Sequence, residues 1–299
     1  KSLEEGLRKE VISIDRIAGQ YAKPRSNQWE MKDGRSLFSY FGDLFNSIDF
    51  TSVGREILPD RLIAAYRASK KTIEFCSEFV CKHAFSPHFI SHEALNLYYE
   101  AALTRKVEGY WYNLSTHLPW IGVRTALTSP AHLIYASGIA NPIGVKIGPS
   151  TEPEQLIELI RTVNPWLIEN RVLLITRFGA RRVKECLVPL IEAVSNARLS
   201  VLWMCDPMHG NTEVLRGKFK IRRLERIVKE LEETVEAHEQ CGTHLSGVHL
   251  EVCCEEVTEC IDDEITEQRI DTNYKAIIDP RLNPKQARSV IQFVSELCS

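Results

Sequence analysis

Short apolar runs alternate with stretches in which apolar residues return at every third or fourth position, and this change of period recurs along all 299 residues. The runs Val11–Ala18, His88–His92, Trp111–Ile121, Gly144–Ile147, Val172–Arg177, Val201–Cys205, Val248–Val252 and Ala276–Asp279 predict β-strands. The stretches between them predict helices. Leu224, Ile227, Val228, Leu231 and Val235 form one apolar stripe that stops before Gly242, and Pro153 opens a helix with Leu156, Ile157 and Ile160 on its buried face. Residues Gln286–Leu297 repeat the pattern with Ala287, Val290, Ile291 and Val294. A strand followed by a helix, again and again, predicts parallel α/β architecture. With no repeat, linker or low-complexity tract, one domain over residues 1–299 is expected, and the fold that suits it is a (β/α)8 TIM barrel.

The charged residues that sit oddly in this pattern follow the runs: Arg16 and Lys23, His92 and Glu93, Arg124, Lys146, Arg177, Asp206 and His209, Glu251, Asp279 and Arg281. In a barrel the C-terminal strand ends line one mouth, so these residues would form a single site. His209, Glu251 and Asp279 are a mixed nitrogen and oxygen set suited to a divalent metal such as Mn, Co, Fe or Zn. Any one of them alone is more often structural; for the set, beside so many cations, that reading weakens considerably. Arg16, Lys23, Arg25, Arg124, Lys146 and Arg177 are too many cations to bury without anions, and phosphate is the natural partner of an Arg fork. A cation held at Lys146 or Arg177 without its anion should be destabilising, so replacing either with Met is expected to leave the fold as stable or more so.

Composition narrows the classes. At 44% hydrophobic and 26% charged the chain is globular, and 37 Lys+Arg against 40 Asp+Glu gives a net charge of -3, which argues against general nucleic acid binding. The apolar runs are far shorter than the roughly 20 residues that a membrane helix needs. There is no GxGxxG and no phosphate-cradling GxxxxGK[ST] loop. Nine scattered cysteines, an odd count, point to a reducing compartment and a cytoplasmic location. The cluster Cys241, His244, His249, Cys253, Cys254 and Cys260 has no regular zinc spacing and is expected to be buried, inert thiols. The basic run Arg216–Arg223 reads as a solvated or anion-binding loop.

The segments RIAGQYAKPRS (16–26), SHEAL (91–95), WIGVRT (120–125), NPIGVKIGP (141–149), TRFGA (176–180), WMCDPMHGNT (203–212), GVHLEV (247–252), VTEC (257–260) and DPRLN (279–283), in that order, resemble class II 3-deoxy-D-arabino-heptulosonate 7-phosphate (DAHP) synthase. The resemblance spans about residues 11 to 290. It implies a (β/α)8 barrel that condenses phosphoenolpyruvate with erythrose 4-phosphate, the first step of the shikimate pathway, with a divalent metal. It assigns Arg16, Lys23, Arg124, Lys146 and Arg177 to phosphoenolpyruvate, Arg25 and Ser26 to the aldose phosphate, and His209, Glu251 and Asp279 to the metal, which would act as Lewis acid on the aldehyde oxygen. Lys23, Lys146 and His209 are the catalytic candidates, and a homo-oligomer is expected.

Three departures carry expectations. The family's Gly-Asp-Cys-Ala-Glu segment, which supplies a fourth ligand, does not occur here, so either that Cys and the first strand lie upstream of Lys1, the favoured expectation, or the metal site is incomplete. Val123 stands where the family has Glu, with Ala126 and Ser129 for a nearby Arg and Asp, which opens the alternative of a different aldose phosphate. Only about 25 residues separate Tyr66 from Ser91, too few for the helices that bind aromatic amino acids in longer members. A non-catalytic phosphate-binding barrel is the remaining alternative.

Overall fold

The computed structural model describes residues 2–16, 20–25, 27–83 and 88–298. Its parallel strands are β1 (Ser13–Arg16), β2 (His88–Glu93), β3 (Leu118–Ile121), β4 (Ile143–Ile147), β5 (Val172–Thr176), β6 (Val201–Cys205) and β7 (Gly247–Val248), hydrogen-bonded in that order in one seven-stranded sheet. β4 and β5 are buried at every position, which is why they read as continuous apolar runs. The chain divides into two compact units, residues 12–144 and residues 1–11 with 145–299, and the division falls inside β4. This is an α/β fold of the kind expected. The described residues form seven parallel strands and not a closed ring of eight.

In the unit of residues 145–299 the strands alternate with α1 (Pro153–Val163), α2 (Val183–Asn196), α3 (Leu224–Gln240) and α4 (Pro284–Leu297). Pro153 opens α1, which buries Leu156 and Ile160 together with Leu159 and Val163. Asn283 caps α4: its side chain accepts from the Gln286 N–H while the Gln286 side chain accepts from the Asn283 N–H, a reciprocal capping box that starts the helix at Pro284. Ile227 and Leu231 of α3 and Val290 and Val294 of α4 bury their apolar faces against Cys205, Met208, Cys260 and Leu282. At about 1.5–3 kcal/mol for each fully buried aliphatic side chain, this cluster anchors the loops on either side of Met208 and Leu282.

Four expectations about segments are corrected. Trp111–Ile121 is two elements: Tyr110–Asn113 pairs antiparallel with Thr104–Val107, and the Asn113 side chain then accepts from the Ser115 N–H, turning the chain before β3. Val248–Val252 keeps strand geometry only over Gly247–Val248. The His249 N–H still donates to the Cys205 carbonyl, but beyond it the backbone leaves β6 and pairs with Leu282. Ala276–Asp279 is irregular, with Ile277 exposed and Pro280 unable to donate to a ladder. The basic run Arg216–Arg223 contains a strand, Phe219–Arg223, paired antiparallel with Glu213–Leu215, and within it Arg222 is fully buried.

Among the described residues no helix is long and apolar enough to cross a membrane.

Candidate active site and metal centre

β6 delivers the chain to Asp206, and the turn Asp206-Pro207-Met208-His209 folds back on the Asp206 carboxylate. Oδ1 accepts from the N–H groups of Met208 and His209, both at 3.1 Å, and Oδ2 lies 2.7 Å from His209 Nδ1. From the penultimate position of β4 the ammonium of Lys146 donates to the same Oδ2 at 2.8 Å. Asp206 is fully buried and Lys146 nearly so. Burial pushes the Asp206 carboxyl up, yet the positive charges of His209 and Lys146 hold it well below the usual carboxylate range. His209 is raised in turn: burial works against its charge, and Asp206 outweighs burial.

With Nδ1 committed to Asp206, the other ring nitrogen of His209 is directed elsewhere. Nε2 lies 3.4 Å from Glu251 Oε1. Donor atoms of His209, Glu251 and Asp279 all fall within 4.8 Å of one another, so the three predicted ligands are brought together. A carboxylate behind the ligating imidazole is the usual second support of a metal site, fixing tautomer and ring plane. Glu251 is held ionised: burial opposes it, but His209 and the Arg222 guanidinium, 2.6 Å from Oε2, overcome that. Asp206, His209 and His249 form a second close set. It suits a cation less well, because Asp206 already accepts from four donors. His249 is driven down to about 4 by burial, so it stays neutral beside them. Among the described residues neither close set contains a cysteine, and the predicted burial holds for Cys260 but not for Cys254, which is exposed in the loop after β7.

Arg177 follows β5. Nη2 donates to the His209 carbonyl at 3.4 Å, and Nε is buried without a partner among the described residues. The loop it opens is locked to the His209 loop from below by Glu230 of α3. Glu230 Oε1 accepts from the N–H groups of Phe178 (2.9 Å) and Gly179 (3.0 Å), and Oε2 accepts from Asn211 Nδ2 at 2.6 Å. Asn211 Oδ1 accepts in turn from the Ala180 N–H. A Cβ on Gly210 would come within 2.4 Å of the Gly179 nitrogen, so the two loops touch backbone to backbone only because both residues are glycine.

In the unit of residues 12–144, Lys23, Arg25 and Arg124 line one cavity of about 240 Å³ with Asn27, Trp29, Glu30 and Ser39. Arg16, at the end of β1, is exposed, with its guanidinium 4.5 Å from the centroid of the Tyr21 ring and 5.4 Å from that of Trp120. Ser26 lies outside the described residues. His92 is consumed inside the protein: its Nε2 lies 2.7 Å from Glu100 Oε1, and Glu100 also accepts from Asn113 and Ser115. Glu93 and Gly122 approach closely, since a Cβ at Gly122 would meet Glu93 Oε1 at 2.5 Å; Val123 follows as the first residue of the helix Val123–Thr128.

The sequence thus singles out three residues that the fold brings together and misses what supports them. Asp206 stands out as a strand-end acid, but its role as the hinge between Lys146 and His209 does not. Arg222 is hidden in a basic run, and no alternation announces it: Ile221 and Arg222 are adjacent in a strand of five, on opposite faces, and both are buried. The idea that Lys146 lacks an anion is overturned: Asp206 is its partner.

The model of the Class-II DAHP synthetase family matches residues 2–85 and 80–295. A phospho-2-dehydro-3-deoxyheptonate aldolase of Streptomyces coelicolor is 35% identical over 96% of this chain and 75% of its own length. One of Neurospora crassa is 35% identical over 97% of this chain and 74% of its own. A probable phospho-2-dehydro-3-deoxyheptonate aldolase of Pseudomonas fluorescens is 37% identical over 94% and 72%. In fold, the chain is similar to the solved phospho-2-dehydro-3-deoxyheptonate aldolase of Francisella tularensis, with a TM-score of 0.58 over 99% of this chain and 78% of that one at 15% identity. On the family match and these relatives, the chain belongs to the class II DAHP synthase family.

Proposed function

We propose that this chain joins C3 of phosphoenolpyruvate to the aldehyde carbon of erythrose 4-phosphate, with water adding at C2 and inorganic phosphate leaving, to give 3-deoxy-D-arabino-heptulosonate 7-phosphate. The observation that carries the reading is the meeting of His209, Glu251 and Asp279 within 4.8 Å, with Lys146 joined to His209 through Asp206. The donor set fits a divalent cation: an imidazole nitrogen and two carboxylates, with Asp206 behind the imidazole and Arg222 behind Glu251. Mn, Co, Fe or Zn held there would supply Lewis acidity towards the aldehyde oxygen.

The remaining tasks fall to side chains. Lys146 would hold an anionic group of phosphoenolpyruvate while Asp206 limits its mobility, and Arg177, whose Nε has no partner among the described residues, would add a charge-assisted bond to the same substrate. Arg16 is assigned to phosphoenolpyruvate as well. The cavity that gathers Lys23, Arg25 and Arg124 would take phosphate, with Ser26 beside Arg25 in sequence. Glu30 lines the cavity too, but its carboxylate is paired with Arg55 at 2.7 Å, so the three cations around about 240 Å³ favour an anionic ligand.

The test is a mixture of the protein, Mn or Co, phosphoenolpyruvate and erythrose 4-phosphate, followed by loss of the enol absorbance. Turnover is expected; none with any tetrose or pentose phosphate would overturn the catalytic reading. Val123, half-buried at a helix start where relatives of this family resemble WIGERT, favours a second reading in which the acceptor is another aldose phosphate, and a screen of aldoses in the same assay separates the two.

A further inference from the structure

We infer that Arg222 is a positioning residue that keeps Glu251 a one-oxygen ligand and so sets which cations the site accepts, a reading that rests on the divalent metal proposed above. Arg222 is wholly buried in the strand Phe219–Arg223, and its planar guanidinium reaches all three segments that carry the candidate ligands. Nε donates to Thr212 Oγ1 at 3.1 Å, three residues past His209. Nη1 donates to Glu251 Oε2 at 2.6 Å and to the carbonyl of Pro280, the neighbour of Asp279. A compact ammonium could not span these acceptors; a rigid fork can. Nη2 is buried with no partner among the described residues. An arginine buried with donors to spare gives up stability, as groups fixed for a site commonly do.

The consequence lies in the two oxygens of Glu251. Oε2 is taken by Arg222, which leaves Oε1, the atom beside His209 Nε2, for a cation. Calcium collects about six to eight oxygens and commonly draws on both oxygens of a carboxylate, whereas first-row transition ions are satisfied by fewer, shorter bonds and by imidazole. A carboxylate confined to one oxygen therefore disfavours the larger ion.

Calorimetric titration of Mn²⁺ and of Ca²⁺ into the full chain tests this, read as the ratio of the Ca²⁺ to the Mn²⁺ dissociation constant. In Arg222→Gln the ratio is expected to fall by about tenfold or more, because Glu251 is released to bind through both oxygens. Arg222→Lys keeps the charge without the fork; a fall of about threefold or more is expected, and this variant decides the matter where the Gln variant does not fold. A merely structural arginine would weaken both ions alike. A ratio within about twofold of wild type in a folded variant overturns the proposal alone. Wild-type protein that binds neither ion overturns the metal reading and the proposal with it.

Discussion

Lys146 and Arg177 look alike in the sequence, each a cation at an apolar strand, and the structure separates them by their partners. Lys146 neutralises a fully buried carboxylate, so Lys146→Met strands Asp206. Breaking a buried pair from one side costs about 3–5 kcal/mol, and the melting temperature should fall clearly below wild type. Among the described residues, Arg177 makes a long bond to the His209 carbonyl and keeps a buried Nε without a partner. Arg177→Met should therefore melt near wild type while phosphoenolpyruvate affinity drops about tenfold or more, the loss of a charge-assisted bond of roughly 1.5–3 kcal/mol. Thermal melts and calorimetry with phosphoenolpyruvate check both. A Lys146→Met protein as stable as wild type would contradict the pairing with Asp206, and an unfolded Arg177→Met would make that arginine structural. At this scale the sequence is legible for residue type and strand end. It is silent on pairs such as Lys146 and Asp206, 60 residues apart, because only the sheet brings them together.

Among the elements, α3 does more than cover the sheet. Glu230 on its buried face ties the loop after β5 to the loop after β6, with burial raising its carboxyl to about 7 despite three donors around it. The ordinary value is about 4.5, so the folded form binds its proton more tightly than the unfolded chain does. This contribution to stability is present below about 4.5 and is lost as the pH rises through about 7. Glu230→Gln removes the titration. Melts at pH 5 and pH 8 should show wild type losing more of its stability over that interval than the variant does; parallel losses would contradict the assignment. The helices themselves are legible because a spacing of three and four is a local property, as in α1, α3 and α4. The hairpins are not read, although each leaves a mark: Asp33-Gly34, Glu108-Gly109 and Arg216-Gly217 all turn with two consecutive positive φ angles. Charged and aromatic residues on both faces hide the two-residue period there, as in the exposed stack of Trp29 on Phe38.

Across the whole molecule, five of the eight expected strand runs appear near their places; of the other three, Trp111–Ile121 splits into two strands and the remaining two lie at the Glu251 and Asp279 loops. These loops are irregular for a physical reason: the chain after His249 exchanges β6 for Leu282, and Arg222 fixes both loops from within a strand that the apolar pattern does not announce. The candidate ligands are legible as residue types while the backbone that presents them is not. The claim on which the rest depends is that the chain makes a carbon–carbon bond with His209, Glu251 and Asp279 holding a divalent ion. The most direct measurement is nuclear magnetic resonance of phosphoenolpyruvate labelled with ¹³C at C3, mixed with erythrose 4-phosphate, Mn²⁺ and protein. The vinyl carbon signal should convert to a ring methylene as phosphate is released, stop on chelation, return with added Mn²⁺, and be absent in His209→Ala. Phosphate release without that methylene, or conversion undiminished by exhaustive chelation, would contradict it.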